Sequence, residues 1–517
     1  MSTYDFIVVG AGSAGSVVAR RLAEQKAAKV LVLEAGGTEI PANSINPSVW
    51  FTLLGSGIDW GYFSTPQPGL NGRRTYEPRG KVIGGTGQLH LMMHIRGHPW
   101  DYDNWQYNGC PGWSYEQVLP YFKKMENQED ATSPWAGHGG PLSVINAGKH
   151  PHNPLSPSFI EACLELGYPP TEDFNGPEMA GVGWHHISVK READGSYTRS
   201  SPAVAYLGPA LEWPNLTFEA NAQATRLLFD GRRERVIGVE YVQGGQVKKA
   251  FAELEVISCL GALESPHLLL NSGIGPAEQL KQFGKPVIVD LPGVGENFHN
   301  HVLTGLIAET KEPVQPGKLN TSEAALFTTS DPGYHVPDLQ FNFVHLPFDV
   351  IVGANNPNSV SLIPGLQRPL SRGWVRLASS DPLEKPLVNP NYLAVDTDVQ
   401  RMKRMVEIGR EIFATKAMSK VLTGRELLPG PDYGKSDSET LRFVRERSDS
   451  YHHQVGSCKM GQDEMAVVDP QLRVYGVEGL RVADASIMPT IVTGNIHAGI
   501  LMIGEKAADM ARKAHGL

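Results

Sequence analysis

Cysteine is scarce in this chain of 517 residues. Cys110, Cys163, Cys259 and Cys458 stand far apart, with neither a CxxC pair nor zinc-finger spacing. That excludes a disulfide framework and a cysteine-held metal, and leaves reduced, mostly buried thiols. Basic charge is not concentrated either: the net charge is -9 and no run of five or more Lys or Arg occurs, so neither nucleic acid nor an anionic membrane is favoured as a partner. No apolar window reaches the ~18 residues of a membrane span, and the N-terminal apolar stretch lacks the basic flank of a signal peptide. A soluble, cytoplasmic protein with a small-molecule ligand is the expectation. Repeats and low-complexity tracts are also missing, and 41% hydrophobic with 20% charged residues suits a large core shared between two domains.

What is present begins at Tyr4. The segment "YDFIVVGAGSAGSVVARRLAEQKAAKVLVLEAG" reads as an apolar strand, a glycine turn, an amphipathic helix and a second strand ending in an acid. This is a βαβ unit with Gly10, Gly12 and Gly15 at the GxGxxG positions. Gly10 permits the tight turn, Gly12 lets backbone approach a pyrophosphate, and Gly15 lets the helix pack close to the strand. Ser13 and Ala14 open a helix whose free N–H groups face the phosphates. Glu34 follows about twenty residues later, beside Ala35, where a carboxylate bonds ribose hydroxyls and repels a 2′-phosphate. The unit implies a dinucleotide; by itself it does not separate NAD from FAD.

Two further stretches are "RGKVIGGTGQLHLMMHIRG" from Arg79 and "GALESPHLLLNSGIGP" from Gly261. With "LPGVGENFHNH", "SRGWVRL" and "LRVADASIMP", they resemble the glucose-methanol-choline (GMC) oxidoreductases over nearly the whole chain, nearest in texture to the bacterial choline oxidase branch. The resemblance implies FAD-dependent alcohol oxidation and an α/β (α+β overall) fold. A Rossmann-like FAD-binding domain would comprise residues 1–149, 190–305 and 453–517. A discontinuous substrate domain, residues 150–189 and 306–452, would be built on an antiparallel or mixed sheet with helices. The adenosine end is expected at the N-terminal unit and Ala224. The isoalloxazine is expected along Arg79, Gly84, Gly85, Gly87, His90, Leu91 and Met92, with Asp484, Ala485 and Asn495 beside it. Asp484 is expected to orient backbone and not to transfer protons. Alternation in "HVPDLQFNFVHL" and a helical period in "DVQRMKRMVEIGREIFA" suit the substrate domain.

The pattern departs from the family in places. Choline oxidase bonds its flavin covalently through a histidine of the glycine-rich loop; Leu89 stands there in this chain, which implies non-covalent FAD. His90, where aryl-alcohol oxidases resemble this chain in carrying His, either hydrogen-bonds the flavin or the local backbone. Gly87 and His94 also depart, and no mechanism requires either.

Oxidising an alcohol needs a base for the hydroxyl proton while hydride leaves the carbon. By the resemblance, "HHQVGSCKMG" puts His453 at the base position, and "TGNIHAGILMIG" puts His497 at the second catalytic position, opening a helix whose positive end faces the flavin. Such a pair titrates as a unit; the alternative is two unrelated histidines satisfied by backbone. An extended stretch would turn His452 and His453 to opposite faces, leaving His452, where choline oxidase has tyrosine, in the pocket wall or turned away. Trp50, Glu323, Phe343 and His452 are the expected substrate pocket. This incomplete cage for trimethylammonium favours a benzylic, furanic or medium-chain primary alcohol over choline. Reoxidation by O2 to hydrogen peroxide is expected, by a monomer or homodimer without a metal. The alternatives are a choline or other alcohol dehydrogenase serving a quinone or other acceptor, an NAD-dependent Rossmann enzyme, and a flavin-dependent lyase or photodecarboxylase-like relative.

Overall fold

The strand Thr3–Val9 is apolar and short, and its β-branched residues favour extended backbone. It lies at the centre of a seven-stranded sheet. In this computed structural model, which describes residues 3–24, 28–131, 133–347 and 356–517, Thr3–Val9 pairs in parallel with Val30–Leu33 and Gln246–Ser258. Leu216–Glu219 extends the sheet on one side, and Leu480–Val482 joins Gln246–Ser258. Val236–Gln243 and Ala222–Phe229 complete it as antiparallel strands. Helix Ser13–Ala23 packs between this sheet and the C-terminal helix His497–Ala514, so the first and last elements of the chain share one core.

A second sheet of eight strands is antiparallel throughout its described pairs. Its order is Leu422–Leu428, Leu306–Thr310, Ser359–Leu366, Leu339–Val344, Ala324–Thr328 and Gly181–Trp184. Helix Asp396–Phe413 covers it with Val399, Met402, Met405, Val406 and Ile412, the one-face spacing its sequence period requires. Val302–Leu303 pairs with both Ser359–Leu366 and Asp449–Ser450. It therefore belongs to this sheet although it precedes residue 306; a two-residue strand has no alternation to reveal it. Its pairing fixes Asp449–Ser450, and with them the start of the two-histidine segment, to the sheet edge.

Strand Leu339–Val344 corrects one pocket assignment. All six of its residues are buried, so polarity does not mark its faces, but its side chains still alternate. Phe343 points into the core beneath the sheet, stacked on Phe159 with ring centroids 5.1 Å apart. Asn342 and Val344 face the cavity instead. Phe343→Ala is expected to destabilise the protein by about 3–5 kcal/mol in thermal or denaturant unfolding.

Candidate active site

The glycine turn is built as its sequence requires. Gly10 has φ +95, and a Cβ there would come within 2.8 Å of the Cys259 carbonyl oxygen. A Cβ on Gly15 would overlap the Gly10 carbonyl, whereas one on Gly12 would meet only the Cys259 carbonyl oxygen, at 4.0 Å. The second glycine loop lies directly on the first: Gly84 N donates to Ala11 O at 2.8 Å, and a Cβ on Gly85 would reach 2.7 Å from Gly12 Cα. Gly87 has a packing reason too, since a Cβ would sit 2.6 Å from Pro202 Cδ. Ser13 lines the main cavity and Ala14 is buried behind it.

Glu34 ends its strand buried, accepting from Ala11 N and Gly36 N at 2.8 Å each. Burial pushes its carboxyl up to about 7, against the two backbone hydrogen bonds. Ala35 and Ala224 line a small cleft next to it with Val9, Leu33 and Leu260. Asp484 orients backbone: Oδ1 accepts from Ser486 N at 2.8 Å, and Oδ2 from Gly261 N at 2.9 Å and Ser265 Oγ. The Ala485 carbonyl accepts from Gly456 N.

The larger cavity, about 250 Å³, lies between the two sheets' elements. It is lined by the apolar side chains of Trp50, Leu54, Leu303, Val344 and Ile363 together with Arg79, Leu89, His90, Leu91, His452, His453, Asn495 and His497. Trp50 is fixed by its Nε1 donating to Thr321 Oγ1 at 2.8 Å. Met92, at φ +60, turns its side chain into a small core with Ile187 and Val189, and Met93 lines the cavity in its place. Glu323 is absent from this lining. Its Oε2 accepts from Asn153 N at 2.7 Å and Ser156 Oγ at 2.9 Å, in a buried polar cluster where burial pushes its carboxyl up to about 7. His94 is likewise occupied elsewhere, its Nε2 2.8 Å from Glu126 Oε1 in a buried group with Arg96.

The segment from Ser450 to Val455 is not extended. His452 has φ +64, its N–H donates to Ser450 Oγ at 3.1 Å, and its carbonyl accepts from Arg79. The resulting turn lets both histidines face the cavity, where the extended reading allowed only one. Burial pushes His452 down to about 3 and Arg79 to about 10.

The hydrogen bonds around His453 select one tautomer. His301 Nε2 lies 2.9 Å from the Gln367 carbonyl, which only accepts, so that nitrogen carries the proton. Burial pushes His301 down to about 3, keeping the ring neutral, so its Nδ1 is an acceptor. His453 Nδ1, 2.9 Å away, must donate to it. The lone pair of His453 is thereby left on Nε2, on the side of Asn495 Nδ2 at 3.4 Å. Asn495 is itself oriented, because its Oδ1 accepts from Gln340 Nε2 at 3.1 Å. Tyr451 stacks on the His453 ring at 4.7 Å. Burial, then the neighbouring His301, His452 and Arg79, holds the His453 imidazole well below the ordinary 6.5, so Nε2 is free to take a proton at neutral pH.

His497 opens helix His497–Ala514 with its ring 4.1 Å from that of His90. His90 Nδ1 accepts from Met92 N at 2.7 Å, the local-backbone role. His90 Nε2 and both ring nitrogens of His497 are buried with no partner among the described residues, which is unfavourable unless a bound polar molecule answers them. Burial, followed by His94 and Arg199, pushes His497 down to about 3. His301 and Tyr451 escaped the sequence reading; the "HNH" of residues 299–301 was the available signal for the first.

These features fit FAD on grounds of shape and unmet hydrogen bonds. The tight turn at Gly10, the uncrowded face of Gly12 and the helix N-terminus would form a cradle for pyrophosphate. Glu34, Ala35 and Ala224 would hold the adenosine. The loop from Gly84 to Leu91, with Asn495 and His497, would hold the ring.

The GMC oxidoreductase family models match residues 4–303 and 369–504. Among curated proteins, the chain is 42% identical to the mitochondrial choline dehydrogenase of Homo sapiens, covering 98% of this chain and 90% of that one. It is 40% identical to an oxygen-dependent choline dehydrogenase of Escherichia coli, covering 98% and 95%. Among solved structures, a pyridoxine 4-oxidase from Mesorbium loti superposes with TM-score 0.92 at 34% identity, over 99% of each chain.

Proposed function

Because the chain belongs to the GMC oxidoreductases, an FAD-binding family of alcohol oxidoreductases, we propose that it oxidises an uncharged primary alcohol to the aldehyde, with His453 as the base. The observation that carries this reading is the His453–Asn495 pair at the cavity: Nδ1 of His453 donates to His301, so Nε2 keeps its lone pair beside Asn495, and both side chains line a cavity shared with apolar side chains. FAD, when bound, would supply the acceptor for the hydride, which carries both electrons of the oxidation. His453 Nε2 takes the hydroxyl proton as the C–H bond breaks. Asn495 Nδ2 and the unpartnered nitrogens of His497 and His90 hold the substrate oxygen beside it. Leu54, Leu303, Val344 and Ile363 keep water from the reacting carbon and accommodate an apolar chain or ring. Leu89, with no nucleophilic atom, leaves the cofactor dissociable. Oxygen as the final acceptor follows the resemblance to oxidases.

A second reading, choline, is favoured by Asp449, which lines the cavity with the aromatic faces of Trp50, Tyr76 and Tyr451. Asp449 is the one carboxylate among the described lining residues. Burial raises its pKa, opposed by the Ser450 N–H hydrogen bond and then by Arg73, and it stands as a single carboxylate among the apolar side chains of Leu54, Leu303, Val344 and Ile363. The apolar reading is therefore preferred.

An anaerobic screen decides between them: benzyl alcohol, 1-hexanol and choline are added to the purified yellow protein and bleaching near ~450 nm is followed. Bleaching by the neutral alcohols at lower concentration than by choline is expected, with colour and peroxide returning on admission of air. Reduction by choline alone would reverse the choice. Since the His453 pKa is depressed, the protonated, inactive form appears only below pH 6.5, and the reduction rate is expected to be level above that value and to fall on its acid side.

A further inference from the structure

We propose that Glu77 is the positioning residue for the His453 base: a buried carboxylate from which the whole two-histidine turn hangs. Glu77 is fully buried, and every described side chain that bonds it is a donor. Oε1 accepts from Thr75 Oγ1 at 2.9 Å and Tyr392 OH at 3.0 Å. Oε2 accepts from Ser450 Oγ at 2.8 Å, Asn300 Nδ2 at 3.4 Å and Gln454 Nε2. Burial raises the carboxyl's pKa, and the Ser450, Gln454 and Thr75 hydrogen bonds oppose this. Asn300 Nδ2 and Gln454 Nε2 can only donate, so Oε2 is held as an acceptor.

These partners are the groups that hold the turn. Ser450 and Gln454 flank His452 and His453 on either side. Ser450 Oγ, fixed by its donation to Glu77, accepts from His452 N at 3.1 Å and from Asn300 Nδ2 at 2.9 Å. Asn300, fixed by Ser450 and by Tyr392 OH at 2.6 Å, accepts His453 N on its Oδ1 at 2.8 Å. Both consecutive backbone N–H groups of the histidine pair thus end on side chains that Glu77 orients. The same short strand, Tyr76–Glu77, leads through Pro78 into Arg79, whose guanidinium holds the His452 carbonyl. A left-handed residue such as His452 persists only where its surroundings over-determine it, and this network supplies those surroundings. Glu77 does not touch the His453 ring; it acts through Ser450, Asn300 and Gln454.

The consequence for rate rests on the reading of His453 as base, whereas the consequence for the turn does not, so two measurements are paired. Glu77→Gln places an amide N–H against the donor shell while keeping volume. Hydrogen–deuterium exchange of the peptide spanning residues 449–455 in the flavin-loaded protein is expected to accelerate at least ~10-fold, with the peptide spanning 3–9 unchanged. Anaerobic reduction per bound flavin is expected to fall on the order of 10- to 100-fold, the scale of a small misplacement of a reacting group. A milder Ser450→Ala variant, which cuts the link from Glu77 to His452 N, should move both readouts in the same direction and keeps the question answerable if Glu77→Gln folds poorly. Wild-type exchange at 449–455 in both variants would overturn the role of Glu77. So would loosened exchange with an unchanged reduction rate. If no alcohol reduces the wild-type flavin, the proposed activity fails separately, and the exchange measurement still decides whether Glu77 holds the turn.

Discussion

Replacing His453 by alanine is expected to slow anaerobic flavin reduction by alcohol about 10²- to 10⁴-fold, the span of a positioned general base. FAD content and thermal stability should stay near wild type. His453 is held in place by its own backbone N–H, which donates to Asn300, and by stacking on Tyr451. The first contact survives the substitution, and neither lies in the glycine cradle at Gly10, Gly84 and Gly85. Substrate should still enter, because the apolar lining of Leu54, Leu303, Val344 and Ile363 does not depend on the imidazole. The loss should therefore fall on the reduction rate constant and much less on the substrate concentration giving half-maximal rate. Stopped-flow absorbance with a concentration series separates the two. A variant reduced at the wild-type rate would assign proton removal to another group, with His497 the next candidate.

His301→Phe is expected to reduce the same rate constant by roughly 10- to 100-fold, the scale of leaving a buried N–H without its acceptor, although His301 does not line the cavity. Phenylalanine keeps a ring in the space and removes the acceptor that His453 Nδ1–H requires. His453 is then free to place its proton on Nε2, the nitrogen that must be empty for the reaction. Fixing the wrong tautomer of a histidine base costs about 10⁴-fold in a serine protease whose aspartate is made an amide. The effect here should be smaller, because loss of the acceptor leaves both tautomers accessible and does not impose the wrong one. An unchanged rate would contradict the tautomer assignment.

The parts of this site that sequence made legible are those governed by local rules. Gly10, Gly12 and Gly15 are dictated by close contacts within a βαβ unit, and Glu34 by its place at a strand end; each is where the pattern puts it. Asp484 orients backbone, as its setting before Ala485 led one to expect. What escaped depended on partners far away in the chain. His452 and His453 looked like consecutive residues of an extended segment, yet Arg79, Ser450 and Asn300 bend them into a turn, and two of those three lie 373 and 153 positions from their bonded partners. Phe343 is misplaced in the sequence pattern because its strand is buried on both faces, so parity has to come from pairing and not from polarity. Glu323 looked like a pocket carboxylate until its hydrogen bonds to Asn153 and Ser156 placed it in a separate cluster.

The central claim is that this cavity breaks the carbinol C–H bond of an alcohol while His453 Nε2 receives the hydroxyl proton. Anaerobic stopped-flow reduction of the purified flavoprotein by benzyl alcohol, compared with α,α-dideuterobenzyl alcohol at saturating concentration, tests it most directly. Bleaching of the flavin that is several-fold slower with the deuterated alcohol in the wild type, and largely lost in His453→Ala, is the predicted result. Flavin that stays oxidised with every primary alcohol, or that bleaches in His453→Ala at the wild-type rate, would contradict it.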